Sequence, residues 1–192
     1  ELRRRGLPFE RCENIEAAIA ERVADYRIVG RFNGRMEYGP RALGNRTIMA
    51  HPQDRTVNDT LNARLRRTEF MPFAPSVLEE DALEYFDLDD GALRAAEYMT
   101  ITCDVWPEKR DVIPAVTHVD GTARPNIVRR EVNPSFHATI SEFKRRTGLG
   151  AIINTSFNIH EEPIVCTPRD ACIAYEQGSV DALAIGSFLV EG

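Results

Sequence analysis

Four segments of the chain have apolar residues three or four positions apart, the spacing that lines one face of a helix. The predicted helices begin after Asn14, near Asp54, at Pro134 and at Pro168. Asparagine, aspartate and threonine cap the free amides of a first helical turn, and proline is well tolerated at its first position. Gly148 and Gly178 are typical residues for ending the last two of these helices.

Short apolar runs between these helices predict β-strands. They cover residues 27–32, 47–50, 98–103, 115–119, 151–153, 182–185 and 188–190. The prolines of the apolar segment 71–78 exclude a helix there. Residues 79–90 contain seven acidic residues and no basic one, which predicts a solvated acidic helix and turn. Strands and helices alternate without a repeat or a long linker after about residue 30. This pattern predicts one mixed α/β domain, with the first dozen residues as a tail or linker.

The composition of the 192 residues is that of a globular domain, with 43% apolar and 28% charged residues. No apolar run reaches the roughly 18 to 20 residues of a membrane span, and the first residues do not resemble a signal peptide, so we expect a cytoplasmic protein. The net charge of −6 argues against a general nucleic-acid surface. Residues 31–67 are an exception to this charge, because they carry eight basic and three acidic side chains.

The cysteines and histidines show no metal-binding pattern. The chain has four cysteines without a C-x-x-C pair: Cys12, Cys103, Cys166 and Cys172. We expect them to be small buried apolar side chains rather than a disulfide framework or zinc ligands. The four histidines have no ligand spacing either: His51, His118, His137 and His160. We therefore expect no metal ion to be held by side chains of this chain.

The strongest local signal is the loop from Asn33 to Arg46, which contains three glycines, one proline and three arginines in fourteen residues. Glycines let backbone amides approach a ligand closely, and the arginines add fixed positive charge, so the loop is predicted to bind an anion. We expect Glu37 to orient one of the arginines. Alternatively, the arginines pair with the acidic residues 79–90. The loop lacks the spacing G-x-x-x-x-G-K-[S/T], so a Walker-type phosphate loop is not supported.

A second signal is the segment Thr117-His-Val-Asp-Gly-Thr-Ala-Arg124, in which a glycine turn follows a predicted strand. Such a turn puts Arg124 at the rim of a sheet, where α/β proteins bind ligands. His118 and Asp120 could act as a base and its orienting group, or as metal ligands. More often, such a pair stabilises a turn through a hydrogen bond.

A third signal is the segment Asn154-Thr-Ser-Phe-Asn158, a predicted polar turn that follows a buried strand and supplies four hydrogen-bonding side chains. These groups suit a neutral amide or a phosphate oxygen. The alternative is an ordinary Asx or Ser/Thr turn. Ser156 is not expected to be a covalent nucleophile, because no G-x-S-x-G pattern surrounds it.

Five motifs in a fixed order carry a resemblance to a known family. They are Arg31-Phe-Asn-Gly-Arg-Met-Glu-Tyr-Gly-Pro-Arg-Ala-Leu-Gly-Asn-Arg-Thr-Ile48, Pro72-Phe-Ala-Pro-Ser-Val77, Thr117-His-Val-Asp-Gly-Thr-Ala-Arg124, Asn154-Thr-Ser-Phe-Asn158 and Pro163-Ile-Val-Cys-Thr-Pro168. From about residue 28 to its end, the chain resembles the C-terminal domain of the O-carbamoyltransferases that act in nodulation-factor, cephamycin and tobramycin biosynthesis.

The resemblance implies a YrdC-like fold, a twisted mixed sheet with flanking helices, in which carbamoyl phosphate and ATP with Mg²⁺ give carbamoyl adenylate. In that family an N-terminal actin-like half, with iron(II) held by histidines, transfers the carbamoyl group to an acceptor hydroxyl. That half is missing from these residues, so we expect the adenylation half-reaction at most. Residues 1–27 would be a linker and leading helix from the missing half, and residues 28–192 the C-terminal YrdC-like domain.

The resemblance also implies the site residues. The family's contacts to carbamoyl adenylate correspond here to Arg41, Arg124, Asn154 and Ser156. A family lysine ahead of the Pro-Phe-Ala-Pro segment corresponds to Arg66, which keeps the charge but changes its reach. Arg41 and Arg124 would stabilise the negative charge that moves onto the leaving pyrophosphate.

The expected partners are carbamoyl phosphate, ATP and the N-terminal domain of the same protein, with neither nucleic acid nor membrane among them. The alternative function is a non-catalytic module that binds a nucleotide or a phosphorylated metabolite.

Overall fold

The protein consists of short strands and helices, and the computed structural model describes residues 1–67 and 72–192. Met71, in the proline-containing segment, lies outside the described residues. The strands of the described part are β1 (Glu10–Arg11), β2 (Val29–Phe32), β3 (Arg46–Ala50), β4 (Ala74–Leu78), β5 (Cys103–Asp104), β6 (Thr122–Ala123), β7 (Asn126–Val128), β8 (Ala151–Ser156), β9 (Ala182–Ile185) and β10 (Phe188–Val190). Its helices are α1 (Leu2–Arg5), α2 (Ile15–Ala24), α3 (Val57–Arg64), α4 (Ala82–Tyr85), α5 (Asp90–Ala96), α6 (Pro134–Thr147) and α7 (Pro168–Glu176).

Eight of these strands form one sheet in the order β1-β10-β9-β2-β3-β8-β4-β7, and β5 and β6 form a separate two-stranded sheet. β2 pairs in parallel with β9, and β4 pairs in parallel with β7, whereas the other neighbours in the large sheet are antiparallel. The large sheet is therefore mixed. This confirms the predicted mixed α/β class with flanking helices.

Helices pack on both faces of the large sheet because its strands alternate apolar side chains between the two faces. In β3, Met49 belongs to the core under α2 and α6, and Ile48 belongs to the core on the opposite face. Phe143 of α6 is fully buried in the first core. Leu61 of α3 and Ala171 of α7 belong to the second. Burying one large apolar side chain contributes about 1.5 to 3 kcal/mol to stability.

The caps confirm three of the four predicted helix starts. The Asn14 side chain accepts a hydrogen bond of 2.9 Å from an amide in the first turn of α2. Asn133 caps α6 in the same way, and Thr167 belongs to a reciprocal capping box at α7. Gly148 ends α6 at a φ of 81°, which glycine adopts without steric cost. α3 begins three residues later than the predicted start near Asp54.

The strands predicted at 98–103 and 115–119 are wrong. Asp89 caps α5 by accepting a hydrogen bond of 2.7 Å from an amide in its first turn. After this helix the chain turns, and β5 shares only Cys103 with the strand predicted at 98–103. Pro114–Val116 form a 3₁₀ turn, which the fixed φ of proline favours. The left-handed backbone of Met99, with a φ of 58°, interrupts the first predicted strand, and Pro114 interrupts the second.

The acidic segment 79–90 forms helical turns, as predicted, but it is only partly solvated. It begins with a 3₁₀ turn and continues into α4. Asp81 is buried, and its Oδ1 accepts a hydrogen bond of 2.6 Å from Nζ of Lys144. Tyr85 and Phe86 are buried in the core. The segment is amphipathic, with its inner side packed on the sheet.

Polar side chains conceal two strands from the sequence pattern. Asn154, Thr155 and Ser156 end β8, so the predicted turn over them is wrong. β7 was not predicted, since its first residue is Asn126. Asn126 is buried and accepts a hydrogen bond of 2.8 Å from the hydroxyl of Ser76 in β4. Side chains and backbone groups from other strands and loops satisfy these polar groups, so the strands lack the apolar alternation by which a half-buried strand is recognised.

Residues 1–27 pack on the sheet instead of trailing from it. β1 pairs with β10 at the sheet edge, with Glu10 opposite Leu189, and Leu2 of α1 is buried. α2 contributes Ile19 to the core under the sheet. The tail predicted for the first dozen residues is therefore wrong, and residue 28 does not separate two structural units. The origin of residues 1–27 in a further N-terminal half stays a prediction.

The cysteines are free thiols, and only Cys172 is buried as expected. Cys12 and Cys103 are half-buried, and Cys166 is exposed. Burial raises the pKa of Cys103 to about 12, which keeps this thiol protonated at neutral pH. Within residues 1–67 and 72–192, no helix is long and apolar enough to cross a membrane.

Candidate functional site

A cavity of about 500 Å³ opens where the end of β8 meets the start of β4 and the loop 33–46. Four of the five site residues implied by the resemblance line it: Arg41, Arg124, Asn154 and Ser156. Phe73 and Met99 add apolar surface to its wall. Residues that are distant in sequence therefore meet around one space, while their functional roles stay predictions.

The fifth residue, Arg66, does not line the cavity, and its neighbour Arg67 does. Arg66 is exposed and has a φ of 55°, a left-handed conformation that turns the chain after α3. Arg67 is half-buried, and its Nη2 donates a hydrogen bond of 3.0 Å to Oγ1 of Thr155. Its guanidinium carbon lies 4.8 Å from the centre of the Phe73 ring, and burial lowers its pKa. Arg67 is thus the cavity arginine of this segment.

Glu37 closes the loop 33–46 from the inside. Its Oε1 accepts hydrogen bonds from the backbone amides of Leu43, Asn45 and Arg46, at 2.8, 2.6 and 3.2 Å. The expectation that Glu37 orients one of the arginines is met only through the backbone, since the carboxylate binds the amide of Arg46 and no hydrogen bond to a guanidinium is found among the described residues. Its carboxylate holds the backbone of the loop that carries the arginines, because three loop amides donate to one oxygen.

Two arginines of the first motif support the loop without lining the cavity. The guanidinium of Arg46 donates to the backbone oxygens of Asn33, Gly34 and Asn45, at 2.8 to 3.0 Å. Arg31 is 2% exposed and donates to the carbonyl of Gly44 and, at 2.6 Å, to the hydroxyl of Ser135. Burial lowers the pKa of Arg31 to about 10, which leaves it charged at neutral pH. These side chains join the loop to β2 and α6.

Asn154 uses its amide for internal hydrogen bonds. Nδ2 donates to the carbonyl of Ala42 at 2.8 Å, and Oδ1 accepts from the hydroxyl of Thr47 at 3.3 Å. Asn154 is only 1% exposed, so it fixes the loop residue beside Arg41 from the floor of the cavity. Ser156 donates its hydroxyl hydrogen to Oδ1 of Asn158 at 2.6 Å, which leaves its oxygen as an acceptor.

Arg41 and Arg124 are cations without an acidic partner in the part of the chain that the structure describes. Arg41 is exposed, and Arg124 is half-buried, with a buried Nε that has no hydrogen-bond partner. Burial lowers the pKa of Arg124, and the charge of Arg41 lowers it further. Both arginines also line a neighbouring cavity of about 500 Å³, together with Tyr38 and Tyr98. Two positive charges without acidic partners among the described residues thus line both cavities, and such a charge arrangement favours an anion.

The acidic segment does not neutralise these arginines. Among the described residues, its ion pairs with arginine and lysine connect Glu79 to Arg129, Asp81 to Lys144 and Glu84 to Lys109. None of these three cations is in the loop 33–46, and each of the pairs lies outside the cavity. The alternative that the loop arginines pair with residues 79–90 is therefore wrong for the described residues.

His118 and Asp120 meet through a third residue, Thr122. Nδ1 of His118, a cavity residue, lies 3.0 Å from Oγ1 of Thr122, and Asp120 accepts from the amide and the hydroxyl of Thr122. These bonds lower the pKa of Asp120, the amide contributing most. Burial lowers the pKa of His118, Asp120 opposes this effect, and Arg124 adds to it. The arrangement is a hydrogen-bonded turn, the second of the two alternatives.

No group of three or more histidine, cysteine, aspartate or glutamate side chains within residues 1–67 and 72–192 could hold a metal ion. The absence of a protein-bound metal stays a prediction. A magnesium ion that arrives with ATP would be a part of the substrate.

Solved structures share the fold of this chain. Pyrococcus abyssi Sua5 in complex with L-threonine matches with a TM-score of 0.65 and 14% identity, over 93% of this chain and 48% of that one. Full-length HypF in its phosphate- and nucleotide-bound form matches with a TM-score of 0.60 and 16% identity, over 95% of this chain and 22% of that one. At this identity the likeness concerns the fold alone, and it confirms the YrdC-like class.

The sequence comparison identifies the family. Residues 20–192 match the model of the carbamoyltransferase C-terminus, and the chain belongs to this family. It is 43% identical to the nodulation protein NolNO of Sinorhizobium fredii, over 96% of this chain and 27% of that protein. It is 34% identical to the 3′-hydroxymethylcephem-O-carbamoyltransferase of Amycolatopsis lactamdurans, over 85% of this chain and 30% of that enzyme. The chain thus spans about a third or less of the length of these relatives.

Proposed function

We propose that this domain binds ATP and carbamoyl phosphate and forms carbamoyl adenylate. The observation that carries the proposal is the pair Arg41 and Arg124, two cations without acidic partners among the described residues, at a cavity of about 500 Å³. The same two arginines line a second cavity of about 500 Å³, and each cavity is in the size range of small-molecule sites. Arg67 adds a third positive charge, so the site suits a polyanion such as a nucleoside triphosphate.

The reaction that we propose balances in two steps. Water first hydrolyses carbamoyl phosphate to carbamate and inorganic phosphate. A carbamate oxygen then attacks the α-phosphorus of ATP, and the bond from this phosphorus to the bridging oxygen breaks, so that the electron pair leaves with pyrophosphate. The domain's own contribution is to hold the reactants and to stabilise the charge on the leaving group, for which Arg41 and Arg124 need no covalent intermediate.

Transfer of the carbamoyl group to an acceptor hydroxyl belongs in this proposal to an N-terminal part of the protein. The relatives are about three times as long as this chain, which supports the presence of a further domain. The iron(II) ion implied by the resemblance would be held there, and a cytoplasmic location would give the domain access to ATP.

Pyrophosphate release tests the proposal. We expect the domain to release pyrophosphate from magnesium ATP only when carbamoyl phosphate is present. Arg124→Leu should abolish this release, whereas Arg130→Leu, a control at an exposed arginine outside the cavity, should not change it. Saturable nucleotide binding without pyrophosphate release would favour the non-catalytic binding module instead.

A further inference from the structure

The turn that contains His118 fixes which ring nitrogen carries the proton. Asp120 accepts hydrogen bonds from the amide and the hydroxyl of Thr122, at 3.0 and 2.8 Å. A carboxylate only accepts, so the hydroxyl hydrogen of Thr122 points to Asp120. The Thr122 oxygen lies 3.0 Å from Nδ1 of His118 and must accept there. Nδ1 is therefore protonated, and Nε2 of a neutral His118 is a hydrogen-bond acceptor.

Most of the strong polar groups of the cavity are donors. Arg41, Arg67 and Arg124 line it, and a guanidinium cannot accept a hydrogen bond. Asn154 is 1% exposed and already uses one donor of its amide nitrogen and one acceptor position of its amide oxygen within the fold. These groups can hold phosphate and carbonyl oxygens. They leave open how the site would recognise a ligand group that itself donates.

The carbamoyl group contains such a donor, since its amino group has two N–H bonds. Among the acceptors that the cavity residues offer are Nε2 of His118 and the hydroxyl oxygen of Ser156, whose hydrogen goes to Asn158. We propose that Nε2 of His118 accepts a hydrogen bond from the carbamoyl amino group and thereby distinguishes carbamoyl phosphate from acyl phosphates without an N–H group. This inference rests on the proposed function, because it assigns one contact in the same cavity.

The physical basis of this selectivity is the cost of an unpaired group. A site that is built to pair with an N–H group rejects a methyl group of the same size, because its own acceptor then loses water without gaining a partner. His118 must be neutral for this role. Its burial and the nearby charge of Arg124 both favour the neutral ring, against the opposing charge of Asp120.

Acetyl phosphate is the matched probe, since it has a methyl group in place of the amino group and the same phosphate. We expect His118→Phe, which keeps a flat ring, to weaken binding of carbamoyl phosphate to the 192-residue chain about 10-fold in calorimetric titrations. Binding of acetyl phosphate and of ATP should change less than about twofold. An equal loss for both acyl phosphates, or no loss for carbamoyl phosphate, would overturn the proposal.

A second pair of variants tests the proton position without removing the ring. Thr122→Ser keeps the hydroxyl and should keep the preference for carbamoyl phosphate over acetyl phosphate. Thr122→Val removes the hydroxyl that holds Nδ1, so the preference should fall. Equal preferences in the two variants would contradict the inference. A wild-type chain that binds ATP but neither acyl phosphate would instead contradict the proposed function, and the inference with it.

Discussion

The side-chain amide of Asn154 donates a hydrogen bond of 2.8 Å to the backbone carbonyl of Ala42. Ala42 follows Arg41 directly, so this bond connects the end of β8 to the arginine that reaches the cavity. Glu37 holds the same loop from within through three amides. The loop is therefore held by hydrogen bonds of the protein's own, and such preorganisation lowers the entropic cost of binding.

Asn154→Ala should lower both stability and nucleotide affinity. The substitution leaves the buried carbonyl of Ala42 without its donor and the hydroxyl hydrogen of Thr47 without its acceptor, which costs about 1 to 3 kcal/mol. Urea unfolding should show this loss, and ATP titrations should show weaker binding because Arg41 is less well held. A variant with wild-type stability would contradict the structural role of Asn154.

Arg124→Lys should weaken ATP binding at least about 10-fold while stability hardly changes. Lysine keeps the positive charge and removes the planar fork that binds two oxygens at once. Arg124 forms no ion pair with a described residue, and its Nε is unpaired, so little native stability depends on it. Calorimetric titration and thermal unfolding measure the two quantities separately. Wild-type affinity in this variant would show that Arg124 supplies positive potential only.

Arg66→Ala and Arg67→Ala form a matched pair of neighbouring arginines. Arg67 lines the cavity and donates to Thr155, so its removal should weaken ATP binding about 10-fold. Arg66 is exposed, and its removal should change affinity less than about twofold at moderate salt concentration. A larger effect at Arg66 would restore the correspondence that the resemblance implied.

The sequence could not determine that Arg67, rather than Arg66, lines the cavity. α3 was predicted from its apolar residues, and Leu61 and Leu65 are indeed buried. The direction of the next side chains depends on the left-handed turn at Arg66, which no apolar pattern indicates. The partner of Arg67, Thr155, belongs to a strand that was itself assigned to a turn. A site residue defined by such tertiary contacts cannot be found by local pattern alone.

The elements that were predicted correctly are those with local causes. α2, α6 and α7 begin at side chains that cap their own first turns, and such bonds involve residues three positions apart. β7 was missed because Asn126 is satisfied by Ser76, a residue on another strand. Glu37 was likewise assigned to an arginine, as opposite charges suggest, whereas the loop brings three backbone amides to it.

Two histidines should make stability depend on pH above the range in which carboxylates titrate. His51 is 3% exposed, its ring is stacked 4.2 Å from that of Tyr26, and its Nδ1 accepts a hydrogen bond from the amide of Gln53. Burial lowers the pKa of His51 below the ordinary value of 6.5, with a small opposing effect of Asp54. Burial also lowers the pKa of His118.

Since the folded-state pKa of His51 is lowered, the unfolded chain binds its proton first as the pH falls below about 6.5. The stability that neutral His51 contributes is complete above this value and is lost as the pH falls to the lowered pKa. One such histidine gives a slope of at most about 1.4 kcal/mol per pH unit. Urea unfolding between about pH 5 and 8 should therefore show stability rising with pH up to about 6.5 and then levelling.

His51→Phe should reduce the slope, whatever its effect on stability at pH 8, because phenylalanine keeps the stacked ring and takes up no proton. The slope that remains should fall further when His118→Phe is added, and a slope unchanged by both substitutions would assign the pH dependence to other groups.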